Sequence, residues 1–345
     1  MKKQVLKNRF LLLFLTISFA FLSIWANTLS INADPALLSP TDTSSGWVKY
    51  SGNPVLGGQY GTCFDISVLK ETPGYRMWVS WRPQHSIALV TCKDGMNFNG
   101  TPQIVLGPRA SGWEDDDVNR PVVIKLKDGY HMWYTGQAGG HSAIGYAVSS
   151  DGITWKRMSD KPVLSADVPW EKVAVMCPDV MWDARAKLYK MWYSGGEQYE
   201  PDAIGYATSP DGLNWTKLQS NPIFANDPTK SWEQHKVTAC QVIHDGDWYY
   251  MFYIGFEDIN HAQICLARSK DGITGWERNP NNPIVKTSVR GEVNDWDSSA
   301  CYKPYAIYDG KQWLLWYNGR KDGFEQIGVV IHQGKDLGFG QPTGK

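Results

Sequence analysis

The stretch "IGYATSPDGLNW", Ile204 to Trp215, recurs along the chain. "IGYAVSSDGITW" (Ile144 to Trp155) precedes it, "ICLARSKDGITGW" (Ile264 to Trp276) follows it, and a weaker copy, "IALVTCKDGMNF", runs from Ile87 to Phe98. The aspartates of the four DG pairs, Asp94, Asp151, Asp211 and Asp271, lie 57, 60 and 60 residues apart. Each full unit holds four short runs rich in Val, Ile, Tyr and Trp, separated by Gly, Asp and Asn turns. In the unit opening at Trp113 they fall near 118–126, 130–136, 143–149 and 154–158. Four short strands per ~40–60 residues, with no sustained helical period, is the pattern of a β-propeller blade.

Counting units gives an all-β, five-bladed propeller of four-stranded antiparallel blades. The last copy stops after three strands, near Ile331. The missing strand stands at the other end: "GWVKYSGNPVL", Gly46 to Leu56, matches "ITWKRMSDKPVL" and "LNWTKLQSNPIF". The N-terminal segment is therefore expected to pair with the last blade and leave no free edge. In the repeated turn, Asp caps the backbone, Gly supplies the special angle, and Trp or Phe packs between sheets. A motif used four times in this way builds the fold and carries no chemistry. Glu114, Glu171 and Glu233 recur as "WE" and read as structural for the same reason.

Lys2, Lys3, Lys7 and Arg9 precede the apolar run Phe10–Ala26, the pattern of a secretory signal peptide. Cleavage is expected after Ala26 or Ala33, with Ile at the −3 position of both. Residues 1–33 are thus read as signal and short leader, and 34–345 as one domain of an exported, monomeric protein without stable membrane insertion. A net charge of −1 and no basic run after the leader argue against nucleic-acid binding. The six cysteines mostly sit inside strand-like runs and read as buried thiols. No CxxC pair is present, so neither a metal site nor a cofactor is expected. The 17 Trp and 17 Tyr suit strands and also stack on sugar rings.

Function is sought where the blades differ. Trp113, Trp170, Trp232 and Trp296 each precede by eight positions Pro121, Pro178, Cys240 and Pro304, and Ile66 is the matching residue of the first blade. One position earlier stand Asp65, Arg120, Cys177, Ala239 and Lys303, which strand alternation turns toward the channel. At these positions the chain resembles the five-bladed propeller glycosidases of glycoside hydrolase families 43, 32 and 130. "FDISVLK" (Phe64 to Lys70) resembles the "DPSV" of family 43, whose Asp is base or nucleophile. "MCPDVMW" (Met176 to Trp182) is similar to the "ECPD" of family 32. "VNRPVVI" is similar to the "RDP" of that family or the "EDPR" of family 130, and "VSWRPQHSIALVTCKDGMNF" to the first blade of the mannoside phosphorylases. Met176, Arg120, Cys177 and Thr238 stand where these families place carboxylates, so of the expected three only Asp65 remains.

The resemblance implies an exported glycoside hydrolase acting on a poly- or oligosaccharide, with Asp65 as base or nucleophile between Arg120 and Lys303. The acid is sought first at Glu197, in a loop across from the first blade, and next at Asp179, one step deeper than Cys177. Arg82, His85, Asp117 and His235 are further candidates for holding substrate. The two cations beside Asp65 favour a glycan bearing anionic groups. One alternative is a phosphorylase with phosphate held by Arg120, Lys303 and His235; another is a carbohydrate-binding propeller without catalysis. A sialidase is disfavoured: "SPDGLNW" has its glycine one place early for an Asp box.

Overall fold

In the computed structural model residues 42–339 are described, and the expected signal segment lies outside them. The described residues form antiparallel strands in groups of four. Sheet 1 holds β2 (Cys63–Glu71), β3 (Gly74–Trp81), β4 (Ser86–Cys92) and β5 (Gln103–Leu106). Sheet 2 holds β6 (Asp117–Leu126), β7 (Gly129–Ala138), β8 (His141–Ser149) and β9 (Lys156–Arg157). Sheet 3 holds β10 (Ala174–Asp183), β11 (Leu188–Gly196), β12 (Pro201–Ser209) and β13 (Thr216–Lys217), joined to sheet 2 by one parallel bridge, Ala174 to Ser142. Sheet 4 holds β14 (Lys236–Asp245), β15 (Trp248–Phe256), β16 (Ala262–Ser269) and β17 (Glu277–Arg278). Sheet 5 combines β18 (Ala300–Tyr308), β19 (Gln312–Lys321) and β20 (Phe324–Gln333) with the N-terminal β1 (Trp47–Lys49). Trp47 pairs with His332 and Lys49 with Val330, and Leu56 bridges to Ile327.

The DG turns fasten neighbouring sheets. In each, Asp Oδ1 accepts the N–H groups two and three residues on, as Asp211 does from Leu213 and Asn214 at 2.9 and 2.8 Å. The N–H groups of Thr154 and Ile153 hold Asp151 at about 2, and that of Asn214 does the same for Asp211. The following glycine lies near φ +75 in every copy, between +71 and +80, a region costly for other residues. Its carbonyl then accepts an indole N–H from the preceding sheet. Trp78 donates to Gly152 at 3.0 Å, Trp133 to Gly212 at 2.9 Å, Trp192 to Gly272 at 2.8 Å and Trp316 of sheet 5 to Gly95 of sheet 1 at 2.7 Å. Sheet 5 has no DG turn leading into its outer strand, which comes from the N-terminal segment, and the residue of sheet 4 that would donate to one is Phe252, packed edge-on against Trp47 at 6.0 Å.

A second fastening explains the recurring acids. Glu114, Glu171, Glu233 and Asp297 are fully buried, and each meets a cation on the outer strand of its own sheet. Arg157 is 2.8 Å from Glu114, Lys217 is 2.6 Å from Glu171, Arg278 is 2.5 Å from Glu233, and Lys49 of β1 is 2.8 Å from Asp297. Tyrosine hydroxyls from Tyr193, Tyr253 and Tyr317 complete three of them. The N-terminal strand thus supplies both the strand and the cation that sheet 5 lacks. All six cysteines are unpaired, five of them buried.

Replacing Lys49 with Met removes the cation and leaves the Asp297 carboxylate buried with only the Tyr317 hydroxyl, the Ser288 N–H and a distant thiol among the described residues. Breaking a buried pair in this way costs about 3–5 kcal/mol, and urea unfolding should show a loss of that order. Trp192→Phe removes the only side-chain donor to the Gly272 carbonyl among the described residues and should cost about 1–3 kcal/mol in the same measurement.

Candidate active site

The inner strand of every sheet carries a bulge at the same place, between Phe64 and Ile66, Asn119 and Val122, Met176 and Asp179, Thr238 and Cys240, and Tyr302 and Tyr305. The bulged residues are Asp65, Arg120, Cys177, Ala239 and Lys303, with φ of 40, 52, 51, 37 and 35. None is glycine, so each holds a conformation costing about 1–3 kcal/mol. Pro121, Pro178 and Pro304 follow three of them, where a missing N–H is tolerated. Side chains of the adjoining sheet hold the bulges in place. The N–H of Arg120 donates to Ser80 Oγ at 2.8 Å, that of Cys177 to Thr135 Oγ1 at 3.1 Å, that of Ala239 to Ser194 Oγ at 2.8 Å and that of Asp65 to Asn318 Oδ1 at 3.4 Å. Ile254 stands at the fifth such place and has no acceptor to offer. Ser80 also donates to the Asp65 carbonyl at 3.1 Å, tying Asp65 and Arg120 through one hydroxyl.

Above these bulges lies a pocket of about 190 Å³. Its acids are Asp65, Glu200 and Glu325; its cations are Arg82, Arg120 and Arg320. Phe64, Tyr199, Tyr302, Thr238 and Asn318 complete the polar and aromatic wall. Arg120 Nε lies 3.0 Å from Asp65 Oδ2, and its Nη1 donates to Asn119 Oδ1 at 2.8 Å. Glu325 accepts from Asn318 Nδ2 at 3.1 Å and lies 3.7 Å from Arg82. Burial pushes Glu325 up to about 7, against Arg82 and with the charge of Asp65 behind it. Burial also raises Glu200, opposed by Arg120 and Lys236. Tyr199, 67% exposed, stands at the edge as a stacking face, and the buried Thr238 Oγ1 has no hydrogen-bond partner.

The expected site residues divide accordingly. Asp65, Arg120 and Arg82 come together in the pocket. His85 and Asp117 sit beside it, joined at 3.2 Å, with His85 largely exposed. Lys303 is almost fully buried below, where its charge acts on Asp179 and Cys177 rather than pairing with Asp65. Asp179 is not a pocket acid: its Oδ2 accepts the Val242 N–H at 2.8 Å inside the sheet contact, and burial pushes it up to about 6. Glu197 points out to Lys172 at 2.9 Å with its side chain 60% exposed. His235 is exposed on a link and offers its backbone N–H to Phe256. Glu325 had no sequence signal of its own, since it opens a strand just past a turn and belongs to neither a loop nor a link.

A larger depression, about 520 Å³, lies on the DG-turn side between sheets 2 and 3. Its acids are committed, Asp211 to the turn and Asp128 to His131 at 3.0 Å, so it presents no free carboxylate pair. Among the described residues no group of His, Cys, Asp and Glu is arranged to hold a metal.

No family model matches the chain. A 1,2-β-oligomannan phosphorylase of Thermoanaerobacter sp. (strain X514) is 33% identical over 138 residues, 36% of this chain and 44% of the relative. An uncharacterised protein of Mycobacterium tuberculosis (strain H37Rv) is 27% identical over 241 residues, covering 66% of this chain and 75% of its own. The chain thus spans less than half the length of the phosphorylase it matches. Among solved structures, a thermostable family-43 glycoside hydrolase superposes with a TM-score of 0.64 at 18% identity, over 84% of this chain and 97% of that one. The β-1,2-mannobiose phosphorylase of Listeria innocua gives 0.66 at 13% identity, over 84% and 97%. The chain has the fold of the glycoside hydrolases and phosphorylases of families 43 and 130, and part of it is similar in sequence to the mannoside phosphorylases.

Proposed function

We propose that the chain is a glycoside hydrolase in which Glu325 is the general acid and Asp65 the nucleophile or water-activating base. The observation that carries this is the pair itself: one pocket holds a carboxylate 3.0 Å from a guanidinium and a second carboxyl pushed up to about 7. Hydrolysis of a glycoside needs two carboxyls kept in opposite protonation states. Glu325 protonates the leaving oxygen; Asp65, held 3.0 Å from Arg120, attacks the sugar carbon or takes the proton of an incoming water. Glu200 adds negative potential toward a positively charged transition state. Tyr199 gives a sugar ring a face to stack on. This replaces Glu197 and Asp179 as acid.

The reading extends to the whole chain as a five-bladed ring over residues 34–345, closed by β1 and exported as a monomer behind a cleaved leader. Supporting the closure are the Trp316–Gly95 bond between sheets 5 and 1 and the Lys49–Asp297 pair. A phosphorylase is the second reading, favoured by the local likeness to the oligomannan phosphorylase.

Reducing-end release from a glycan panel, with and without inorganic phosphate, separates the two; turnover that requires phosphate would replace hydrolase with phosphorylase. With an active glycan in hand, Glu325→Gln should lower kcat by about 10²–10⁴ and be far less damaging on an aryl glycoside whose leaving group needs no proton. Because Glu325 must be protonated to act, wild-type activity should fall as pH rises through about 7. Full activity of the variant on natural glycans would remove Glu325 from the role.

A further inference from the structure

Of the three guanidinium groups in the pocket, two are engaged. Arg120 is bound to Asp65 and Asn119. Arg82 lies 3.7 Å from Glu325 and over the Phe64 ring at 4.2 Å. Arg320, at the end of β19, is different: among the described residues its guanidinium makes neither an ion pair nor a hydrogen bond; it lies over the Tyr302 ring at 5.2 Å, and its charge reaches Glu200 and Glu325 only from a distance. Its neighbour in sequence, Asp322, is taken by Arg290 at 2.7 Å. An arginine in a concave, partly dry pocket with all five N–H donors unspent is poised for a planar anion. The ring beneath it fixes the plane of the fork and leaves its edge free.

We propose that Arg320, with Arg82 at the same pocket, receives a carboxylate carried by the sugar, so that the pocket selects a uronic-acid-bearing glycan. Calling that glycan a substrate rests on the hydrolase reading; its binding does not. A carboxylate fits better than inorganic phosphate. Asp65 and Glu200 share this small space, and a phosphate dianion would meet their repulsion with twice the charge. A sugar carboxylate brings one charge, two coplanar oxygens for the fork, and an apolar ring face for Tyr199.

The test compares binding by calorimetry to galacturonate and glucuronate oligosaccharides, to the same oligosaccharides after chemical reduction of their carboxyls to alcohols, and to inorganic phosphate. The proteins are the mature wild type, Arg320→Gln and Arg320→Lys. At least one acidic oligosaccharide should bind the wild type roughly ten- to a hundredfold more tightly than its reduced partner, the value of a charge-assisted bidentate contact. Arg320→Gln should erase that difference with an unchanged melting curve, and Arg320→Lys, which keeps the charge without the fork, should recover only part of it. Equal binding of acidic and reduced forms, no binding of any acidic form, or Arg320-dependent binding of phosphate alone each overturns the proposal. Turnover separates the two readings: hydrolysis of a neutral glycan keeps the hydrolase and discards the carboxylate, whereas Arg320-dependent uronate binding without turnover does the reverse.

Discussion

An indole N–H reaching from one sheet to the glycine carbonyl of the next is the contact on which the arrangement depends. Four such bonds, 2.7 to 3.0 Å long, join sheet 1 to 2, 2 to 3, 3 to 4 and 5 to 1. Each needs a turn that presents its carbonyl sideways. That requires a glycine at positive φ, and an aspartate that holds the turn by accepting two backbone N–H groups. The tryptophan brings the largest apolar body in the repertoire and a single donor at its far edge. Burial and direction therefore come from one residue. Phe252 marks the one place where no such turn faces the sheet, which shows the tryptophan is kept for its donor as well as its bulk.

The same architecture accounts for the pocket. A bulge in an inner strand turns one side chain off the regular alternation and toward the mouth. Repeated in all five sheets, it gathers Asp65 and Arg120 close enough to pair, while Ser80 locks the backbone of both. The strain of a left-handed aspartate is held by hydrogen bonds from the neighbouring sheet, so the carboxylate is positioned before any ligand arrives. Glu325 comes from a hairpin, and burial is what pushes its carboxyl up to about 7.

Much of this was legible in the residues. The DG spacing gave the strands and turns, and alignment on Trp113, Trp170, Trp232 and Trp296 located the five inner residues that the structure finds at positive φ. What alignment missed was depth. Asp179 and Asp65 lie on the same set of strands, yet two residues along an inner strand is the difference between a pocket carboxylate and one spent on the Val242 N–H. Lys303 aligns with Arg120 but is buried away from Asp65. Sequence points to Glu197, yet the pocket acid of that loop is Glu200, three residues on, because loop position says nothing about which way a short hairpin folds. Lys172 draws the first outward while the second turns to the pocket. Glu325 became visible only when β20 was seen to start beside β2.

The contact between sheets 4 and 5 is built unlike the others. Phe252 gives it no indole bond, and Ile254 gives the Lys303 bulge no side-chain acceptor. On the inner strands the polar link is Gln241, which grips both the N–H and the carbonyl of Ala306, at 2.5 and 3.0 Å. This seam runs through the pocket, with Thr238, Ala239 and Ile254 on one side and Tyr302, Asn318, Arg320 and Glu325 on the other. Toward the outside the joint is tied by bonds that no other seam repeats: Lys335 lies 2.8 Å from Asp245, Asn279 Nδ2 donates to the Leu337 carbonyl at 3.0 Å, and the Ser44 N–H donates to the Ile284 carbonyl at 3.1 Å. Sheet 5, with Glu325 and Arg320, is fastened to sheet 1 and Asp65 by the Trp316–Gly95 and Asn318–Asp65 bonds, so acid, base and Arg320 form one continuous wall, and the seam sets Thr238, Ala239 and Ile254 apart as the facing one.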